Sequence, residues 1–580
     1  MQRLSHPVAR MKPAAVVAVA ALAWAAQAAA GELLIEQRLA SDGALLVSYT
    51  PPEGVRELPL FDRSATMSTV WGEMATPADR CAAVVLSPRP AIQLQAGCTS
   101  ASFRIAPRLL NRYAVYEPAF AVGKTAVMSY GGFYAAALPG HALRWRWVPE
   151  GGARAIVAGR VHAQPVDRVV TVAQVAAALQ DEGRTSAGWD ALAANEYAFL
   201  GQAPLETLPG GVLVNDGAVD ATRLQAVHEA LARTTERLAS AYGVPPAGPW
   251  AVVASAAPGL RGFRGDVTAG RMMSLRIDDA VPQGVDATGR MHRFVAHEVT
   301  HWWDTGVYRV DFDHPWIHEG HAEWMAGLLM REAGLQDAER WRGSQDAALN
   351  SCQFARGDRP SATLPTGFNR EDDTYACGQV LMLLAQSARP RDTAPVDVAA
   401  SLFRGSTTPV DAVAIARWAD GGDSGPMHRL LLDPKQGFVS ALKRDWANVV
   451  DVTDLKAGAP LPAGLRSRLG TALMGALMTA DCGRMGFWTE VDHFRIEAVP
   501  ECRTLRGDLR VRRIAGLSPF DDPVGAWQAA RAACEAGRPV ELGTVGEPVS
   551  LACPAPVPDM PIQHVLRLRP QALERLGLAP

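Results

Sequence analysis

Residues 297–301 of the chain read HEVTH, and residues 316–324 read WIHEGHAEW. These two stretches constrain the fold more than any other part of the sequence. His297 and His301 stand one helical turn apart, so on a helix both imidazoles leave one face and can take adjacent corners of a tetrahedron. Glu298 then lies beside whatever the histidines hold, placed to take a proton from a water there. No Pro or Gly falls between Met291 and Asp304, so "RFVAHEVTHWWD" is expected to be helical. A tetrahedral site also needs a third protein ligand, which obliges a second element to meet this helix.

The spacing H-E-x-x-H-x-x-G-x-x-H is excluded, because Asp304 occupies its Gly position and Val307 its last His position. The downstream candidates are His314, His318, Glu319, His321 and Glu323. Glu319 and Glu323 are four apart and share a face on a second helix. His318 and His321 lie about 100° and 200° round from Glu319 and are expected to point elsewhere. Glu319 suits a metal ligand. Glu323, one turn later, suits a carboxylate that accepts the N–H of a ligand histidine and fixes its orientation. The competing readings are a helix-capping Glu319 and a solvated Glu323.

The rest of the chain supplies the setting. With 57 basic against 60 acidic residues and a net charge of -3, nothing points to capture of nucleic acid. Arg3, Arg10 and Lys12 precede an apolar run from Ala14 to Ala26, and Ala28-x-Ala30 offers a cleavage site before Gly31. That is the layout of a secretory signal peptide over 1–30, cleaved after Ala30. The apolar run is well short of the ~20 residues a membrane span needs, and no later segment reaches that length without charges. The expected product is periplasmic or secreted. Eight cysteines follow the leader and none has C-x2-C spacing, which favours disulfides over a second zinc cluster. Eight thiols allow 105 pairings; joining sequential neighbours would close four short loops.

Alternating runs such as "ELLIEQRL", "ALLVSYT", "SFRIAPRLL", "ALRWRWV" and "RAIVAGRVHA" predict an antiparallel β-domain over 31–170. The texture then becomes helical over 171–455. Asp220 is a suitable N-cap and Gly243 a suitable C′ residue for a helix whose buried face carries Leu224, Val227, Leu231 and Leu238. A strand "WAVVASA", the run "RMMSLRI" and helices at "GQVLMLLAQSA" and "PVDVAASLF" are expected in this part. From 456 to 580, short strands and the helix "PVGAWQAARAACEAG" predict a small α+β module. The fold class is α+β and multidomain.

"HEVTHWWD…WIHEGHAEWMA" resembles the gluzincin pattern of the aminopeptidase-N-like and glycyl-aminopeptidase-like zinc peptidases. There the Glu of W-x-x-E-G is the third zinc ligand, here Glu319. Seventeen residues separate it from His301, one fewer than is usual in aminopeptidase N. The resemblance implies a thermolysin-like catalytic domain, a single Zn2+ and a peptide or protein substrate. It extends to "TYACGQVLMLL", which is similar to the families' Y-x-K-G stretch with Cys377 in the Lys position; the matching Tyr375 would donate its hydroxyl to the oxyanion. A Cys352–Cys377 bond would help to hold it. One departure stands out. Where aminopeptidase-N relatives carry GAMEN, whose Glu binds the substrate's amino terminus, this chain has "GRMMS", with Met273 in the Glu position 24 residues before His297 (297 − 273). A methionine cannot pair with an ammonium group, so the resemblance supports a zinc peptidase but weakens the case for a strict aminopeptidase, and aminopeptidase versus endopeptidase cleavage stays open. Met273's strand is still expected to offer its backbone to a peptide by β-addition. The C-terminal part is faintly similar to a degenerate PDZ-like module.

Two other readings stand beside a zinc peptidase that uses a Glu-activated water: a catalytically silent protein that binds peptides or partners, and a zinc hydrolase of some other substrate. Oligomeric state is not legible in the sequence.

Overall fold

The structure is a computed structural model. It describes residues 31–580 apart from 61–70, 86–89, 108–117, 137, 181–195, 259–262, 269–270, 279–284, 365–371, 390–392, 491, 498–500, 554 and 579–580. The expected leader lies outside the described residues. The chain forms two compact units, Met1–Thr235 with Val244–Val307, and Glu236–Gly243 with Tyr308–Pro580. It is a multidomain α+β protein, β-rich at the N-terminus and helical beyond.

In the first unit, the alternating segments become strands for the reason their pattern gives. Leu33 and Ile35 of Glu32–Leu39, and Val47 and Tyr49 of Leu45–Thr50, are buried while their neighbours are not, as a period of two requires. They belong to a six-stranded sheet, which a five-stranded and a three-stranded sheet accompany. The pairing departs from an all-antiparallel expectation in one place. Glu32–Leu39 runs parallel to Ala142–Val148, a partner more than a hundred residues away whose crossover a hairpin cannot make. Cys81 and Cys98 are bonded within this region.

A further five-stranded sheet carries the chain toward HEVTH. Its strands are β1 (Leu205–Leu208), β2 (Gly211–Asn215), β3 (Trp250–Ala256), β4 (Phe263–Thr268) and β5 (Met272–Ile277), in the spatial order β1-β2-β3-β5-β4. β2, β3 and β5 are parallel, and β4 pairs antiparallel with β5 at the edge. β5 is buried along its whole length and β3 nearly so, and both read as near-continuous apolar runs, as strands covered on both faces do.

Helix α1 (Ala221–Tyr242) begins where Asp220 Oδ1 accepts from the Arg223 amide at 3.0 Å and ends before Gly243 at φ 71°. Val227, Leu231 and Leu238 are buried. Helix α2 (Val285–Asp304) carries HEVTH.

The second unit holds α3 (Trp316–Glu332), α4 (Ala338–Arg356), a π-helical turn at Asp372–Ala376 that leads into α5 (Cys377–Ser387), and α6 (Pro395–Arg404). Further on comes α7 (Ala463–Cys482), a helix that the sequence reading did not anticipate. Leu465 and Leu469 of α7 pack with Ile562 and Val565, whereas Leu473, Met474, Leu477 and Met478 enter a different cluster with Phe494 and Trp527. A helix that buries residues on more than one side has no single apolar stripe to read. α8 (Pro523–Glu535) lies with a five-stranded sheet running from Phe487–Thr489 to Val549–Leu551. The last strand, His564–Leu568, returns to pair with Val450–Asp454. The remaining six cysteines pair sequentially, Cys352–Cys377, Cys482–Cys502 and Cys534–Cys553. No described helix is long and apolar enough to cross a membrane.

Candidate metal centre

In the first unit the tryptophans of HEVTHWWD anchor α2. Trp302 is fully buried and stacks on Trp250 of β3, ring centroids 4.6 Å apart and planes 22° from parallel. Trp303 donates its indole N–H to the Val244 carbonyl at 2.9 Å. The histidines behave as their spacing predicts. The His297 and His301 rings lie 5.0 Å apart, nearly perpendicular, and both are buried with Glu298 between them in sequence.

His301 has a partner that sequence reasoning missed. Its Nδ1 lies 3.0 Å from Asp304 Oδ1, and Asp304 is wholly shielded from solvent. A carboxylate in that position accepts an Nδ1–H, which leaves the Nε2 lone pair to a metal and raises the ring's basicity. The signal was present as a carboxylate three residues after the second histidine, on the same helical face. Five residues before His297, on the same helix, burial pushes the His292 imidazole below its ordinary pKa, and Arg233 adds to the effect.

Met273 lies on a strand with neighbours on both sides. It is completely buried, in register with Val252 of β3 on one side and Val267 of β4 on the other. Gly265 of β4 faces Leu275 of β5, and a Cβ on Gly265 would meet the Phe294 ring of α2 at 3.1 Å. Met273 shares that face. The opposite face carries Ser274, whose hydroxyl donates to Asp266 at 2.5 Å, with Tyr197 donating to the same carboxylate at 2.8 Å. Both backbone edges of β5 are thus taken. The peptide-adding edge expected at Met273's strand is corrected by this pairing: the sheet's outer strand is β4.

In the second unit, Glu319 lies in the first turn of α3, where a carboxylate is favoured by the helix dipole. It is buried. His318 does not point away as its helical angle suggested, since its Nε2 lies 3.6 Å from Glu319 Oε1; an imidazole is long enough to swing back across a 100° separation. His321 does point elsewhere, into an aromatic pocket with the Phe403 ring 4.4 Å away and the Tyr242 hydroxyl 3.5 Å from its Nε2. His314 is engaged by Asp311 at 2.6 Å. Glu323 is half-buried one turn after Glu319, and Tyr375 is half-buried in the π-helical turn.

Among the described residues, His297, His301 and Glu319 form a group that could hold a metal ion: each offers one ligand atom, and these atoms lie within 4.8 Å of one another. Two imidazoles and a carboxylate suit zinc. A second cluster, Asp481 with Cys482 and Cys502, is otherwise engaged. Its cysteines are bonded to each other, and Asp481 accepts from the Thr504 and Leu505 amides at 3.0 and 2.8 Å.

No family model matches the chain, and no curated protein matches it. Solved structures do. An aminopeptidase N family protein from Idiomarina loihiensis superposes with a TM-score of 0.55 at 13% identity, over 94% of this chain and 100% of that one. An M1 zinc metallopeptidase from Deinococcus radiodurans gives a TM-score of 0.36 at 14% identity, over 69% and 91% of the two chains. A mutant M1 enzyme from the same organism, bound to a Tyr-Ser-Ala substrate, gives 0.38 at 13%, over 70% and 93%. The first likeness shows that this chain has the fold of an aminopeptidase N family protein.

Proposed function

We propose that the protein is an exported zinc-dependent metallopeptidase of the gluzincin type. The observation that carries the proposal is the buried donor group of His297, His301 and Glu319, with Glu298 beside the first histidine. In this reading residues 31–170, 171–455 and 456–580 are a β-domain, a thermolysin-like catalytic domain and an α+β module. Four disulfides suit an oxidising compartment, in agreement with a leader cleaved after Ala30.

His297, His301 and Glu319 hold one Zn2+, which when bound supplies Lewis-acid polarisation of a carbonyl and lowers the pKa of a nearby water. Asp304 fixes the His301 ring in the tautomer that presents Nε2. Glu298 takes the proton from the attacking water and hands it to the leaving nitrogen as the peptide C–N bond breaks. The Tyr375 hydroxyl donates to the oxygen that gains negative charge at the tetrahedral stage. Glu323 orients a ligand histidine. Met273, buried and uncharged, offers no carboxylate anchor at the sequence position where aminopeptidase N relatives carry one, and both free-amine and N-blocked peptides are candidate substrates.

Replacing Glu298 with Gln tests the assignment. The variant should retain about one zinc per chain and lose cleavage of an N-blocked, internally quenched peptide by about three orders of magnitude or more. Undiminished cleavage contradicts the role given to Glu298.

A further inference from the structure

Glu319 and Tyr375 come from separate helical segments, yet a glycine follows each closely: Gly320 directly after the glutamate, and Gly378 three residues after the tyrosine. These two glycines are where α3 and α5 touch. A Cβ on Gly320 would lie 2.2 Å from the carbonyl carbon of Gly378. A Cβ on Gly378 would lie 2.2 Å from the Trp316 carbonyl oxygen and 2.7 Å from the Gly320 Cα. Neither glycine has a positive φ, so neither is needed for its backbone conformation. They are needed for contact. Helices that pack through side chains keep their axes about 8–10 Å apart and can adjust by changing rotamers. At a contact of main chain on main chain no rotamer can change, and the relative position has one setting.

A second constraint acts on the same segment. Cys377, between Tyr375 and Gly378, is bonded to Cys352 of α4, and both cysteines are buried. The π-helical turn that carries Tyr375 therefore has a covalent tie to α4 and passes directly into the helix pressed against α3. π-turns break the regular helical register and so re-aim the side chains they carry. The clamp on both sides fixes where this one is aimed.

We propose that the Gly320–Gly378 crossing, locked by the Cys352–Cys377 disulfide, is a positioning device that sets Tyr375 against Glu319. It rests on the reading of these residues as oxyanion donor and metal ligand, and it makes Gly320 and Gly378 positioning residues. A methyl group at 378 has to drive α5, and Tyr375 with it, away from the segment Trp316–Gly320.

The test is a double-mutant cycle with structures. Gly378→Ala should keep its zinc and a KM within about twofold, while kcat falls about tenfold to a hundredfold, the cost of a misplacement of about an ångström. In a Tyr375→Phe background the same change should cost less than about twofold, because the hydroxyl it displaces is already gone. Crystal structures of Gly378→Ala and its parent should show Tyr375 displaced relative to Glu319. Equal losses in the two backgrounds, or an undisplaced Tyr375, overturn the proposal. Should Gly378→Ala fail to fold, the Cys352→Ser/Cys377→Ser pair removes the lock without adding volume and must show the same dependence on Tyr375. A parent protein that binds zinc yet cleaves no peptide would refute the peptidase reading, and the crystallographic displacement would still decide the positioning claim.

Discussion

Helix α2 is held in its unit by side chains, whereas helix α3 adds to its side-chain packing a crossing of main chain on main chain. α2 leans on the Trp302–Trp250 stack and on the Trp303 N–H bond to Val244, and it orients His301 through Asp304. α3 meets Gly378 at Gly320, and its side-chain contacts include the Trp324 N–H bond to Gln386 at 2.7 Å and the Trp341 N–H bond to the Gly327 carbonyl at 3.0 Å. The two modes fail differently. Aromatic packing yields by degrees, since neighbours relax into a cavity. A contact between backbones cannot yield without moving a helix. The histidine side should therefore respond to substitution mainly through stability and ring orientation, and the Gly320–Gly378 crossing of the glutamate side through catalytic geometry.

The largest effect that would sharpen this contrast is expected at Trp302. Trp302→Ala should lower unfolding stability by about 3–5 kcal/mol in denaturant titrations of the metal-free protein, with the folded fraction still able to bind zinc. A loss of zinc affinity at unchanged stability would break the contrast, because it would make the stack part of the metal site. A smaller effect is expected two residues along. Asp304→Asn removes the carboxylate beneath His301 at nearly constant shape and should weaken zinc binding about 10–100-fold, measured by competition with a chelator. Unaltered affinity would show that the Asp304 contact does not serve the metal.

These differences explain which parts of the molecule were legible in the sequence. The relation of His297, Glu298 and His301 was legible because all three lie within five residues, so helical geometry alone sets it. The N-terminal strands were legible from period-two burial, and α1 from Asp220 and Gly243. α7 was hidden because its apolar residues enter two cores and mark no single face. The parallel partner of Glu32–Leu39 was hidden because register between distant strands leaves no local signal. The interior place of Met273's strand was hidden for a related reason: spacing to His297 carries no information about β4, which pairs with its outer edge. The Gly320–Gly378 crossing is a relation between two glycines 58 residues apart (378 − 320). Each belongs to a stretch that carries the family resemblance, but only their contact shows what the glycine itself does.

The account stands on one zinc held by His297, His301 and Glu319, and a zinc titration of the metal-free mature protein tests it most directly. The parent and Glu298→Gln should each bind one equivalent tightly. His297→Ala, His301→Ala and Glu319→Ala should each lose that tight site while remaining folded. Tight stoichiometric binding by Glu319→Ala would contradict the account, because the two histidines would then take their third ligand from somewhere other than α3.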